Sequence, residues 1–315
     1  MQEGSRGSMG SMDGTGRTSR ISVLPFTYEE GSLRDRAAGA PTLSYQLALP
    51  NDAAAGVLVL HGYGEHGGRY RRVIERWAGA QAESRPKPMA PLASAVVDFR
   101  GHGWSEGPRG YCERFADYLE DAADMLATFR ERVPNLPLFL MGHSFGGLVA
   151  AHFALNMPGA FRGLVLSSPF FGLQFEVAGV KKLAGRIASR VLPRLSLPTG
   201  LSGSDVTHDE TLARQYDNDP LVNKVATARW FTESQAAQRD ALARAPQLKL
   251  PVLCVQAGAD RVASARASRA VFDRLGSADK RFDERNGLYH EVLNEPKVGM
   301  EIADEMAEWM LAHAT

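Results

Sequence analysis

Five short apolar runs, at residues 56–60, 93–99, 138–141, 163–166 and 252–256, alternate with segments of helical periodicity at 70–81, 115–132, 147–155, 263–275 and 298–312. An apolar run bounded by glycine, proline and polar turns offers no polar face to water, so it suits a strand covered on both sides. Strands that alternate with helices join through right-handed crossovers, which predicts an α/β fold: a mostly parallel sheet flanked by helices. Ligands of such sheets bind beyond the carboxyl ends of the strands, so the loops after the runs are where chemistry is expected. Residues 43–49 alternate in polarity and read as a further strand.

The rhythm breaks once. Residues 169–251, 83 in all, separate two runs where a crossover of about a dozen residues suffices. Within them, residues 175–192 place Val180, Leu183, Ile187 and Val191 on one helical face and Lys182, Arg186 and Arg190 on another. The expected organisation is a disordered leader at 1–20, a sheet core at 21–168, an inserted helical cap at 169–245 and the rest of the core at 246–315. The leader is Gly-, Ser- and Met-rich with no apolar core, which is no signal peptide. A proline-rich loop at 83–91 is a smaller irregularity.

Balanced charge, 36 basic against 36 acidic side chains, leaves no electrostatic footprint for nucleic acid. Cys112 and Cys254 make neither a disulfide framework nor a metal-ligand spacing, and Cys254 lies in an apolar run as a buried thiol would. Residues 133–161 carry no Asp, Glu, Lys or Arg, yet Pro134, Pro137, His143, His152 and the Gly146-Gly147 pair fit strand, turn and helix better than a membrane span. The expectation is a cytoplasmic chain that needs no metal or organic cofactor.

Directly after residues 138–141 stands Gly142-His143-Ser144-Phe145-Gly146, and an apolar helix follows at once. A serine on a tight strand-to-helix turn has its hydroxyl raised above the sheet edge, and flanking glycines let neighbouring segments approach. A serine hydroxyl is a weak nucleophile without a base nearby. Of eight histidines, His290 is best placed, after the run at 280–283 and the turn Gly287-Leu288-Tyr289, and before the last helix. His61 and His143 flank glycine turns and orient loops, His152 packs mid-helix, and His66, His102 and His208 sit in polar loops. Asp260 follows the last core strand, as an orienting acid should, and equally suits the cap of a helix starting near Ala263; the two roles are compatible. Glu65 and Arg69, in a loop with four glycines at residues 61–70, either bind a polar substrate or form a solvated salt bridge. Phe170 and Phe171, with Leu173 and Phe175, either line an acyl tunnel or pack the insertion on the core.

Several motifs recur together: His61-Gly62-x-Gly64-Glu65-His66 with Gly68-Arg69-Tyr70, Asp98-x-Arg100-Gly101-His102-Gly103-x-Ser105-Glu106-Gly107, the Ser144 pentapeptide with Gly147, Ala257-Gly258-Ala259-Asp260, and Tyr289-His290-Glu291-x-Leu293-Asn294-Glu295. In this order they resemble the monoacylglycerol lipases and related lysophospholipases, S33-type serine hydrolases of the α/β-hydrolase fold. The insertion is similar too, in Leu192-Pro193-x-Leu195-Ser196-Leu197 and Tyr216-x-x-Asp219-Pro220-Leu221-Val222. The resemblance runs from about residue 41 to the C-terminus.

It implies Ser144 as nucleophile, His290 as base and Asp260 as orienting carboxylate, in the chain order of that fold. It implies the backbone N–H groups of Tyr63 and Phe145 as oxyanion hole, and Glu65, Arg69 and Tyr216 near a glycerol head group. The expected reaction is hydrolysis of fatty-acid esters, monoacylglycerol first, with lysophospholipase, general carboxylesterase and S33-type peptidase as alternatives on the same triad. The expected partner is a small lipid ester, with transient membrane-surface contact through the cap. Two departures stand out. Tyr63 is bulkier than the small residue of the mammalian lipases and predicts a narrowed acyl entrance, and Leu293 replaces a second histidine near the head group. Ser144 excludes dehalogenases and epoxide hydrolases, which need a carboxylate at the elbow, and the intact triad argues against an inactive binding homologue.

Overall fold

The computed structural model describes residues 19–21, 25–34, 37–80, 82–85, 87–175 and 179–315, the side chains of 19–21 and 180–182 excepted. The expected leader lies almost wholly outside the described residues, as do the side chains of Val180, Lys181 and Lys182.

In chain order the strands are β1 Ser19–Ile21, β2 Phe26–Leu33, β3 Leu43–Pro50, β4 Ala55–Leu60, β5 Leu92–Val97, β6 Leu138–His143, β7 Gly163–Ser167, β8 Ser196–Pro198, β9 Val225–Thr227, β10 Val252–Ala257 and β11 Lys280–Arg285. The α-helices are α1 Arg71–Trp77, α2 Ala116–Arg132, α3 Phe145–Asn156, α4 Gly179–Val191, α5 Gly203–Val206, α6 Glu210–Asn218, α7 Ala228–Arg244, α8 Ala265–Arg274 and α9 Gly299–Ala312. Nine strands form one sheet in the order β1-β2-β3-β5-β4-β6-β7-β10-β11. From β5 to β11 neighbours are parallel, and β1, β2 and β3 add an antiparallel edge.

The central strands β4, β5, β6, β7 and β10 are buried at every position. Alternation sends their side chains to two cores. Leu58, Leu60 and Leu140 face Phe129, Phe145 and Leu148 from α2 and α3, while Val57, Val59 and Met141 face Trp77 and Met306 from α1 and α9. Each such side chain contributes about 1.5–3 kcal/mol of transfer free energy.

One strand escaped the sequence reading and one helix needs correction. Strand β2 was not legible in a segment reading Thr-Tyr-Glu-Glu-Gly-Ser, because its order comes from pairing with β3 along its whole length, from Phe26 opposite Pro50 to Leu33 opposite Leu43. The helix expected at 70–81 spans only Arg71–Trp77, since Gly79 adopts φ +106° and ends it in the left-handed region.

Between β7 and β10 the chain forms four helices, α4 to α7, and the small β8–β9 ladder. Helix α7 lies on the core, with Trp230, Ser234, Ala237 and Ala241 buried and Ala237 O accepting from His152 Nε2 at 3.0 Å. Helix α4 faces outward: Leu183, Ile187 and Val191 are 60%, 57% and 70% exposed. The sequence predicts their common face correctly, and that face has no protein cover among the described residues.

Candidate active site

Ser144 sits between β6 and α3 with φ 51° and ψ −120°. A non-glycine residue there stores about 1–3 kcal/mol of strain, and the surroundings enforce it. A Cβ on Gly142 would lie 2.3 Å from Gly146 O, and one on Gly146 would lie 2.1 Å from Leu60 O. The glycines therefore allow α3 to close onto β4 and β6, and the serine takes the bend. Its backbone N–H donates to Ser167 O, and its carbonyl accepts from Phe170 N–H. Phe145 is the first residue of α3, so its N–H belongs to the helix end that has no intrahelical acceptor.

His290 Nδ1 lies 2.7 Å from Asp260 Oδ2, which fixes the tautomer and leaves Nε2 for a partner across the cleft. Asp260 Oδ1 accepts from the N–H groups of Val262 and Ala263, 2.8 Å each. The acid thus holds its own turn with one oxygen and the imidazole with the other, while the N-cap of α8 is Ser264. Burial alone would raise the Asp260 carboxyl, but His290 and the two N–H groups outweigh it and hold it below the usual value. Burial also works against a charged His290. The Asp260 carboxylate prevails and raises the imidazole above its ordinary value.

The loop after β4 is locked by side chains. His61 accepts from Phe99 N–H at Nε2 (3.0 Å), so Nδ1 carries the proton it donates to Gly62 O at 2.7 Å. Burial lowers this imidazole to about 4 and keeps it neutral. Asp98 accepts from Gly67 N–H at 2.6 Å and from Trp104 N–H at 2.9 Å, tying the loop after β5 to it. Glu65 Oε1 accepts from Gly62 N–H at 2.5 Å and from the Tyr70 hydroxyl at 2.7 Å. Arg69 donates to Glu65 Oε2 at 3.2 Å and to Glu291 Oε2 at 2.5 Å. Burial would raise the Glu65 carboxyl, yet the neighbouring His143 imidazole and Arg69 guanidinium hold it at about 2. Glu65 and Arg69 are therefore no solvated salt bridge: their side chains are 6% and 9% exposed.

Ser144, His290, Gly62, Tyr63, Glu65, Tyr216 and Glu291 line one cleft. Arg69 lines an adjoining small pocket with Glu65, Glu291, Leu293 and Asn294, and its guanidinium lies 5.0 Å from the Tyr216 ring centre. Phe170 and Phe171 lie outside the cleft, buried in the core beside it, with Phe170 parallel to Trp230 at 6.2 Å. Sequence reasoning gave no role to Glu291, Tyr70 and Asp219, although all three stand within the quoted motifs. It also placed His66 and His102 in polar loops, whereas both are buried. His66 meets Asp219 of the insertion and His102 packs among the rings of His61, Tyr63 and Tyr118, partners that no local pattern shows.

Residues 51–297 match the sequence model described as serine aminopeptidase, S33. The chain is similar to a monoacylglycerol lipase of Mycolicibacterium smegmatis, 28% identical over 87% of this chain and 95% of the relative. It is 31% identical to the human monoglyceride lipase, over 81% of each chain, and 31% identical to a phospholipase of Bacillus subtilis, over 76% of this chain and 89% of that one. The crystal structure of a Paleococcus ferrophilus monoacylglycerol lipase superposes with a TM-score of 0.73 at 28% identity, covering 86% of this chain and 99% of the other. Sheet order, elbow and family match agree, and the chain belongs to the serine aminopeptidase S33 family of α/β-hydrolases.

Proposed function

We propose that the protein is a carboxylic ester hydrolase that cleaves monoacylglycerols to glycerol and fatty acid through an acyl-enzyme on Ser144. His290 takes the serine proton as the hydroxyl attacks the ester carbonyl, and Asp260 stabilises the imidazolium that forms. The N–H groups of Tyr63 and Phe145 meet the charge that develops on the carbonyl oxygen, each worth about 3–4 kcal/mol. His290 then protonates the leaving alcohol, and water repeats the cycle to free the acid. Residues 169–245 act as the cap over this cleft.

The charge around the cleft carries the choice of substrate. Arg69 is shared by two carboxylates, Glu65 and Glu291, so the cluster holds one negative charge more than positive. Such a lining repels a phosphate and accepts a neutral polyol. The relatives named as monoacylglycerol and monoglyceride lipases support the same reading. The Bacillus subtilis phospholipase keeps lysophospholipid as the second reading. Hydrolysis of monooleoylglycerol, lysophosphatidylcholine and a dipeptide amide side by side, with Ser144→Ala as control, decides. A lysophospholipid preferred over the glyceride overturns the head-group reading, and a preferred amide overturns ester specificity.

The cap meets lipid through its outer face. Leu183, Ile187, Val191, Leu192, Leu195 and Leu197 are each at least 46% exposed, beside the exposed Arg186 and Arg190 of α4. An amphipathic helix of this kind lies in the headgroup region rather than spanning it, and no helix among the described residues is long and apolar enough to cross a membrane. Co-sedimentation with anionic vesicles should fall on Leu183→Asp with Ile187→Asp, and on charge reversal of Arg186 and Arg190. Unchanged binding in all of these variants removes the docking role.

A further inference from the structure

The oxyanion loop is stitched to the cap at three successive places. Tyr63 stacks on Trp230 of α7, with ring centres 3.5 Å apart and planes inclined by 24°, and its single hydroxyl proton is shared between Val225 O at 2.9 Å and Gly110 O at 3.0 Å. Gly64 O accepts from Asn223 N–H at 2.6 Å, and Gly64, at φ +83°, leaves no room for a Cβ, which would lie 2.7 Å from Asn223 O. His66 Nε2 lies 2.9 Å from Asp219 Oδ2. Trp230 also touches the other proposed oxyanion donor, with the Phe145 ring at 5.4 Å. Its indole N–H has no acceptor among the described residues, so packing rather than a hydrogen bond positions the indole.

We propose that Tyr63 is a positioning residue that couples the seating of cap residues 219–230 to the oxyanion hole: its backbone N–H serves the reacting oxygen while its side chain is built into the cap. The bulk of Tyr63 is then no mere narrowing of the acyl entrance. Its main chain cannot shift without its ring, and its ring cannot shift without Trp230 and Val225. A cap that lifts withdraws the Tyr63 donor, so turnover belongs to the seated cap. This inference rests on Ser144 being the ester-cleaving nucleophile.

A donor displaced rather than deleted should cost less than the full loss of a donor, about 10–100-fold in kcat. The test uses the full chain and p-nitrophenyl acetate, a soluble ester too short to need an acyl tunnel or a glycerol site. Tyr63→Ala should lower kcat about 10–100-fold with KM within about twofold, and weaken inhibition by a short alkylboronic acid, whose serine adduct places an oxygen in the hole, by the same factor. Tyr63→Phe, which keeps the stack and loses the hydroxyl bonds, should fall between wild type and Tyr63→Ala. Trp230→Ala, which removes the cap side of the stack, should repeat the loss with Tyr63 intact. Thermal melts show which variants are folded, and Tyr63→Phe is the conservative case should the alanine variants unfold. Wild-type kcat and boronate affinity in Tyr63→Ala and Trp230→Ala, or in Tyr63→Phe if only that variant folds, overturn the coupling while leaving the esterase reading untouched. A wild type that neither cleaves the ester nor labels at Ser144 with a fluorophosphonate removes the esterase reading, and the coupling with it.

Discussion

The three side chains of the proposed triad are held by different means, and their predicted responses differ accordingly. Ser144 is held in its strained backbone conformation by hydrogen bonds of its own N–H and carbonyl, so Ser144→Ala should abolish turnover and fluorophosphonate labelling and leave the melting temperature close to wild type. His290 is fixed by Asp260. Catalysis needs the neutral imidazole, so the acid limb of kcat/KM should lie above the ordinary histidine value of 6.5. Asp260→Asn should move that limb down and lower kcat about 10⁴-fold by releasing the tautomer. Stability follows with opposite signs. The raised His290 contributes stability below its ordinary value that is lost as pH rises through its folded value. The depressed Asp260 contributes stability above its ordinary value of 3.8 that is lost as pH falls through its folded value. Arg69 is the residue on which the buried carboxylates depend. Arg69→Ala leaves Glu65 and Glu291 without their cation and should cost about 3–5 kcal/mol in urea denaturation at pH 7. The deficit should narrow toward pH 5 as the Glu65 carboxylate, deprived of the cation that helps to depress it, takes up a proton, and a deficit independent of pH would sink that account.

At the scale of elements, the elbow shows how far local pattern reaches. Gly142, Ser144 and Gly146 were legible because a strand, a turn and a helix meet within nine residues, and each residue type has a local reason. The distances add what the pattern lacks: Gly146 is needed because Leu60 O and His61 O of the neighbouring strand and loop lie 2.1 and 2.4 Å from its missing Cβ. Gly146→Ala should therefore cost about 1–3 kcal/mol and lower kcat together with stability, while Gly159→Ala, at φ +81° with nothing within 4 Å of its Cβ, should cost stability alone. Residue-by-residue kinetics paired with thermal melts separate the two. The same contrast explains the strands. β6 was readable from four apolar residues, whereas β2 carries two glutamates and a glycine and is a strand only because β3 lies beside it.

Across the whole molecule, α4 carries an apolar face that is uncovered among the described residues, and the cleft is lined by Glu65 and Glu291, two carboxylates that share the single cation Arg69. A substrate with an apolar tail and a neutral polar head matches both. Leu183→Asp with Ile187→Asp should thus reduce hydrolysis of monooleoylglycerol presented in vesicles several-fold more than hydrolysis of a soluble short ester, and an equal reduction would assign these residues to folding instead. The sequence by itself determined the α/β alternation, the elbow, the insertion and the identity of the candidate triad, because periodicity and turn chemistry act within a dozen residues and motif order adds the rest. Only the tertiary structure decided that Glu65 and Arg69 are buried with Glu291, 222 residues beyond Arg69, that the Tyr63 ring stacks on Trp230, and that Phe170 and Phe171 pack the core beside the cleft. Those contacts join residues far apart in the chain. Whether a charge meets a counter-charge or water, and which ring faces a given side chain, is set by how the insertion settles on the sheet.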